Sequence, residues 1–167
     1  MDIKVKDKTD IQVGSFKKEV INIPNKDYQE SILKVDDYLR NHPNFVPGDF
    51  FPLKHTFANG LYIRQISVPA GYAVLTFVHK QSHPAFLMQG EVTVVEEEGP
   101  RRIQAPKEFI TAAGTKRLCI CHTDTIWTTV HLNLENEHDI DKIEKEIYAD
   151  NYSDLFIDTK EELWQVQ

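Results

Sequence analysis

The chain lacks most of what would set it apart from ordinary globular proteins. Only two of its 167 residues are cysteines, Cys119 and Cys121. They sit two apart, a spacing that seldom forms a disulfide on one strand face, so a disulfide-stapled scaffold is disfavoured and a reducing, cytoplasmic setting is expected. Their simplest role is as small buried hydrophobes on one strand. Positive charge is also in short supply: 19 Lys and Arg face 26 Asp and Glu, for a net charge of -7. Arg101-Arg102 and Lys116-Arg117 are isolated pairs rather than a basic stripe, so nucleic acid is not an expected partner. No apolar run is long enough to span a bilayer, and Met1-Asp2-Ile3-Lys4 does not read as a signal peptide, so no membrane role is expected. A Gly-rich phosphate loop, a Gly-x-Ser-x-Gly elbow and a paired Cys-x-x-Cys zinc site are missing, as are repeats and low-complexity segments.

What is present reads as one globular domain. Hydrophobic content of 41% and charged content of 27% lie near ordinary averages, and the length allows a substantial core. Asn25 is placed to cap a helix on which Tyr28, Ile32, Val35 and Leu39 share a face, and Asn41-His42-Pro43 ends it. From residue 55 to residue 134 the texture changes to short β runs broken by turn residues: 61–68, 73–79, 85–88, 92–96, 109–111, 117–121 and 125–134. The last run alternates strictly, with Ile126, Thr128, Val130, Leu132 and Leu134 on one face and Thr125, Trp127, Thr129, His131 and Asn133 on the other. Ile140, Ile143 and Ile147 then predict a second helix in the acidic stretch 135–150, whose acidic face is most simply solvated. The division expected is an arm and helix over 1–54, a β-barrel over 55–134, and a helix and tail over 135–167. In that tail Leu155-Phe156-Ile157 and Leu163-Trp164 are placed to dock on the barrel or on a second subunit.

The chemistry concentrates in Val78-His79-Lys80-Gln81-Ser82-His83-Pro84, followed by Phe86-Leu87-Met88-Gln89-Gly90-Glu91-Val92-Thr93-Val94. Two imidazoles four apart, ahead of a strand, a glycine turn and a second strand, resemble the first sequence motif of the cupin superfamily. Ala112-Ala113-Gly114-Thr115-Lys116-Arg117 echoes its second. The resemblance covers roughly half the chain and extends to small cupin-like proteins of phages. It implies an all-β fold, a double-stranded β-helix or jelly-roll barrel, with the N- and C-terminal helices packed outside. Counting from Gly90, His83 stands where many cupins carry glutamate, His79 matches the second histidine of the family pair, and Phe77 replaces the first. Arg117 occupies the place of the last histidine ligand.

Two functional readings remain open. In one, His79, His83 and a third ligand from His131 or His122 hold a divalent transition metal (iron, zinc, manganese or nickel) for an enzyme acting on a small anionic molecule. Arg117 would grip the anion, with Trp127, Tyr62 and Arg64 as further pocket lining. In the other, the pocket holds no metal and serves ligand binding, sensing or assembly, with the histidines in a polar network and Arg117 in a salt bridge to Glu91 or to one of Glu96-Glu97-Glu98. Trp127 reads more simply as packing. His42, His55 and His138 read as bystanders. A homodimer is expected, the extended N-terminal segment being placed to add across a partner.

Overall fold

A cap and an apolar period set the first element. In the computed structural model, which describes residues 24–47 and 50–156, helix α1 spans Lys26–Arg40, with Asn25 accepting from the Tyr28 backbone N–H at 2.9 Å. Its expected face is the one it buries. Ile32 and Tyr28 pack on Val78 and Leu118 of the barrel and on Tyr152 and Leu155 near the end of the described chain. The N-terminal arm and the tail beyond residue 156, including Leu163-Trp164, lie outside the described residues.

The β region forms two antiparallel sheets that enclose one core. Strands β1 (Leu53–Ala58), β2 (Gly60–Val68), β3 (Ala73–Leu75), β4 (Val78–His79), β5 (His83–Gln89), β6 (Glu91–Glu96), β7 (Gly99–Gln104), β8 (Lys107–Thr111), β9 (Leu118–Cys121) and β10 (Thr125–Asn133) follow in order. One sheet runs β1-β2-β10-β5-β8 and the other β3-β9-β6-β7. Val68 and Leu87 of the first meet Val92, Val94, Cys119 and Cys121 of the second, with Phe51 completing the cluster. The sheets pack as a double-stranded β-helix, as expected, although they do not close into one continuous barrel.

Several strands depart from the sequence reading. β1 and β7 were not expected. β1 pairs with β2 from Leu53↔Ile66 to Ala58↔Leu61, so the chain reverses through Asn59-Gly60, a dipeptide suited to a tight hairpin. The run at 73–79 breaks into β3 and β4. Helix α2 (Ile140–Ile147), capped by the Asp139 side chain, ends three residues before Asp150. Tyr148–Ala149 then form β11, which pairs with β4 through Tyr148↔His79 and Ala149↔Val78. Helix α2 is more than a solvated face, because Ile143 and Ile147 bury themselves against Tyr62.

Two local features fix the frame of the site. Gly90 has φ +98°, and a Cβ there would lie 2.6 Å from the Asp124 carbonyl oxygen, so the β5–β6 turn requires glycine. On β10 the face carrying Thr125, Thr129, His131 and Asn133 is the buried one, and the aliphatic face looks outward, with Leu132 60% exposed.

Candidate ligand pocket and histidine cluster

Three histidines from three strands meet inside the double sheet. β4 ends at His79 and β5 begins at His83, so residues 80–82 leave strand geometry and let both side chains turn inward. β10 pairs with β5 through Thr129↔Ala85, and continuing that register sets His131 across from His83. The rings of His83 and His131 have centroids 4.4 Å apart, those of His79 and His83 4.5 Å, and those of His79 and His131 6.4 Å. All three side chains are buried. His79 is held by its backbone, its N–H donating to the Thr115 carbonyl at 3.0 Å and its own carbonyl accepting from the Gly114 N–H at 2.7 Å. The glycine of the second motif thus anchors the histidine of the first.

Hydrogen bonds set which ring nitrogens carry protons. His83 Nδ1 lies 3.2 Å from the Gln81 carbonyl oxygen, which can only accept, so Nδ1 donates. His131 Nε2 contacts Thr129 Oγ1 at 3.0 Å. His79 Nδ1 is buried without a hydrogen-bond partner. Burial pushes His79 well below the ordinary histidine range, and the neighbouring His83, Arg117, His131 and Arg64 push the same way. Burial likewise lowers His131 to about 3, helped by His83 and Arg64. Both imidazoles are therefore neutral near pH 7.

His79 and His83 of the cluster line a cavity of about 870 Å³, together with Arg64, Thr129 and Tyr148 among its polar residues. Sequence reasoning missed Tyr148. Its ring meets His79 edge-on at 5.2 Å and His131 at 6.3 Å, and burial raises its phenol above the ordinary tyrosine range. It reaches the site through the pairing of β11 with β4, a contact between segments some seventy residues apart that no local pattern announces.

The other expected residues divide. Arg117 is buried and lines the cavity, but its guanidinium is already engaged: Nη1 donates to Glu96 Oε1 at 2.9 Å, Nη2 to the Thr111 hydroxyl, and the group lies 5.4 Å from the Phe109 ring centroid and 5.7 Å from that of Trp127. The salt-bridge reading of Arg117 holds, with Glu96 as partner. Trp127 both packs on Phe109 and lines the cavity. Arg64 lines it too, its buried Nε 3.8 Å from Glu144 Oε1. Tyr62 does not join the lining. It is fully buried beneath the cluster, bonded to His55 Nδ1 at 2.7 Å and packed on α2, so His55 is a structural partner rather than a bystander. His122 stands apart from the trio on an exposed turn, with Nε2 2.7 Å from Thr93 Oγ1, because its parity on the chain aims it outward.

The fit of a metal ion can be tested on these side chains. Neutral imidazoles are suitable donors for zinc, iron or nickel, and the partnerless His79 Nδ1 matches that chemistry. The arrangement does not match: among the described residues no three His, Cys, Asp or Glu side chains are grouped so as to hold an ion. Cys119 adds no ligand, since burial raises its thiol to about 12 and keeps it protonated.

No protein-family model and no curated protein matches the sequence. Solved structures resemble it at low identity. A cupin domain from Bordetella pertussis is 13% identical over 50% of this chain and 93% of its own, with a TM-score of 0.41. A cupin family protein with a double-stranded β-helix fold from Methanocaldococcus jannaschii is 14% identical over 52% and 85%, with a TM-score of 0.42. KdgF from Halomonas is 14% identical over 54% and 82%, with a TM-score of 0.44. No helix among the described residues is long and apolar enough to cross a membrane. With two antiparallel sheets in the strand orders given above and its histidines between them, the chain has the double-stranded β-helix fold of the cupins.

Proposed function

We propose that the protein binds a small organic molecule in its barrel cavity and reads one polar group of that molecule with neutral imidazoles. The observation that carries this reading is the joining of a cavity of about 870 Å³ to a buried cluster of His79, His83 and His131 backed by Tyr148. A concave site with a few convergent polar groups and shifted pKa values is the usual form of a small-molecule pocket. A neutral histidine can donate from one nitrogen and accept at the other, so the cluster suits a hydroxyl, carbonyl or amide. The two free thiols favour a reducing, cytoplasmic setting for this activity.

A second reading is favoured by one atom. The buried His79 Nδ1 without a partner is what a metal ligand looks like before its ion arrives. If the three histidines reorient, they would hold a divalent metal that supplies a Lewis acid to the bound molecule.

The experiment is nuclear magnetic resonance of the histidine Hε1 protons during titration with a library of small organic fragments. Binding fragments should move the His79 and His83 signals and leave those of the exposed His122 and His138 in place. A library that moves none of the buried signals overturns the proposal.

A further inference from the structure

The charged side chains that line the cavity do not balance. Four are cations, Arg40, Arg64, Lys116 and Arg117, and one is a carboxylate, Asp36. Among the described residues their other partners are Glu96 and Glu144, so four positive charges face three negative ones. Asp36 serves both Arg40, at 2.6 Å, and Lys116, at 3.0 Å, while Glu96 serves Arg117 at 2.9 Å and Arg101 at 3.2 Å. Arg40 is 61% exposed, so water meets much of its charge. The deficit therefore falls on Arg64. Its Nε stands 3.8 Å from Glu144, too far for a hydrogen bond, and is buried without an acceptor. A buried donor left in that state costs free energy until an acceptor arrives.

Arg64 lies beside the histidine cluster. It pairs with Thr129 across β2 and β10, and the Thr129 hydroxyl meets His131 Nε2 at 3.0 Å. We infer that Arg64 anchors a carboxylate, and that the ligand is a small organic monocarboxylate whose second polar group meets the histidines. This rests on the small-molecule reading of the pocket. It moves the anion away from Arg117, whose guanidinium is engaged by Glu96 and Thr111. No hydrogen bond from Nε holds the Arg64 side chain in place, so a small turn away from Glu144 presents its Nε–Nη edge to the cavity. That edge is the planar fork that a carboxylate matches with two parallel hydrogen bonds. Glu144 competes weakly, being 36% exposed and free to turn to water. The surplus is a single charge, which one carboxylate neutralises and a doubly charged phosphate monoester would overrun.

The test compares acids with their amides, benzoate against benzamide and cinnamate against cinnamamide, titrated into the full chain by isothermal calorimetry. Each acid should bind with one equivalent per chain and about tenfold or more tighter than its amide, as expected of a charge-assisted pair. In R64M, with its fold checked by circular dichroism, that preference should vanish while the amides bind as before. Should R64M fail to fold, E144Q takes its place: without the competing carboxylate, the acids should bind several-fold tighter and the amides unchanged. Equal binding of acid and amide would overturn the carboxylate and leave the pocket reading standing. Tighter binding of phenyl phosphate than of benzoate would do the same. A preference unchanged in R64M, or in E144Q where it stands in, would put the anion elsewhere and overturn the inference. Binding of none of these compounds would overturn the inference together with the pocket reading beneath it.

Discussion

Arg117 donates to Glu96 at 2.9 Å from a position over the contacting rings of Phe109 and Trp127, with 4% of its side chain exposed against 23% for the glutamate. The pair joins the start of β9 to the end of β6 and carries a cation into the wall of the pocket. Removing one partner strands the other. The variant E96Q should lower unfolding free energy by about 2 kcal/mol, less than the ~3–5 kcal/mol for a fully buried pair because Glu96 is partly solvated. Combining it with R117M should recover most of that loss, since an apolar chain of similar length packs over the same two rings. Urea unfolding of the two single variants and the double variant measures both effects. Equal losses in E96Q and the double variant would mean that the arginine needs no counter-charge.

That pair was legible in the sequence as one of two alternatives, and it shows where a single sequence stops. Counting back from Gly90 placed His83 in the pocket, because the turn glycine and the strand before it are local features with fixed spacing. Counting from Gly114 placed Arg117 on the inner wall for the same reason. Neither count could choose between a ligand anion and Glu96, since the strand register that pairs Val94 with Cys119 is a tertiary fact. Alternation on β10 sorted its side chains into two sets correctly, and His131 fell with Trp127 as expected. Tyr148 was hidden altogether, because it follows a helical pattern and gains its role only when β11 meets β4. The Asn59-Gly60 hairpin was different. Its signal was plain in the sequence, with Leu53, His55 and Phe57 alternating before it, and β1 could have been found.

Metal content separates the two readings of the histidine cluster. Protein purified without a histidine tag should carry less than about a tenth of an equivalent of iron, zinc, manganese or nickel, where a three-ligand site would hold close to one. Plasma emission spectrometry gives the number. A full equivalent in the wild type that disappears in the variant H79A/H83A would promote the metal-dependent reading over the one argued above.

The buried imidazoles should also make the fold sensitive to acid. His131 titrates near 3 in the folded chain against about 6.5 in an unfolded one, and His79 is displaced in the same direction. Between those values the unfolded state binds more protons, so stability rises with pH across the window and falls as the pH drops below about 6.5. Each such group contributes up to ~1.4 kcal/mol per pH unit within it. Asp36, whose pKa is lowered, acts in the same sense but only below the ordinary carboxylate range, so it does not confuse a comparison above pH 5. There, burial alone would raise it, and the hydrogen bonds from Lys116 and Arg40 outweigh that effect. Urea midpoints of metal-free protein at pH 5.2 and pH 7.2, values chosen to bracket the ordinary histidine pKa of about 6.5, should differ clearly in the wild type. The difference should shrink in H131N. An unchanged pH difference in a folded H131N would assign the acid sensitivity to other groups.

The outward face of the five-stranded sheet gives the last expectation. Leu61, Met88, Ile110 and Leu132 on neighbouring strands of one surface, and Leu134 just past the end of β10, are between 36% and 72% exposed. Together they present on the order of 500 Å² of apolar area, as much as the largest patch on a typical monomer. With half-buried Ile63, Phe86 and Val130 beside them, the patch approaches the ~800 Å² that each partner buries in a standard interface. A second copy of the chain is the occupant that such a largely apolar surface fits best, because a two-fold axis sets the same apolar row against itself. Sedimentation equilibrium should therefore give about twice the chain mass of 19.3 kDa. The variant L132E/L134E should sediment as a monomer, because four carboxylates would have to be buried facing one another. A monomeric wild type at micromolar concentration would remove the dimer and leave the face covered by the same chain or bare.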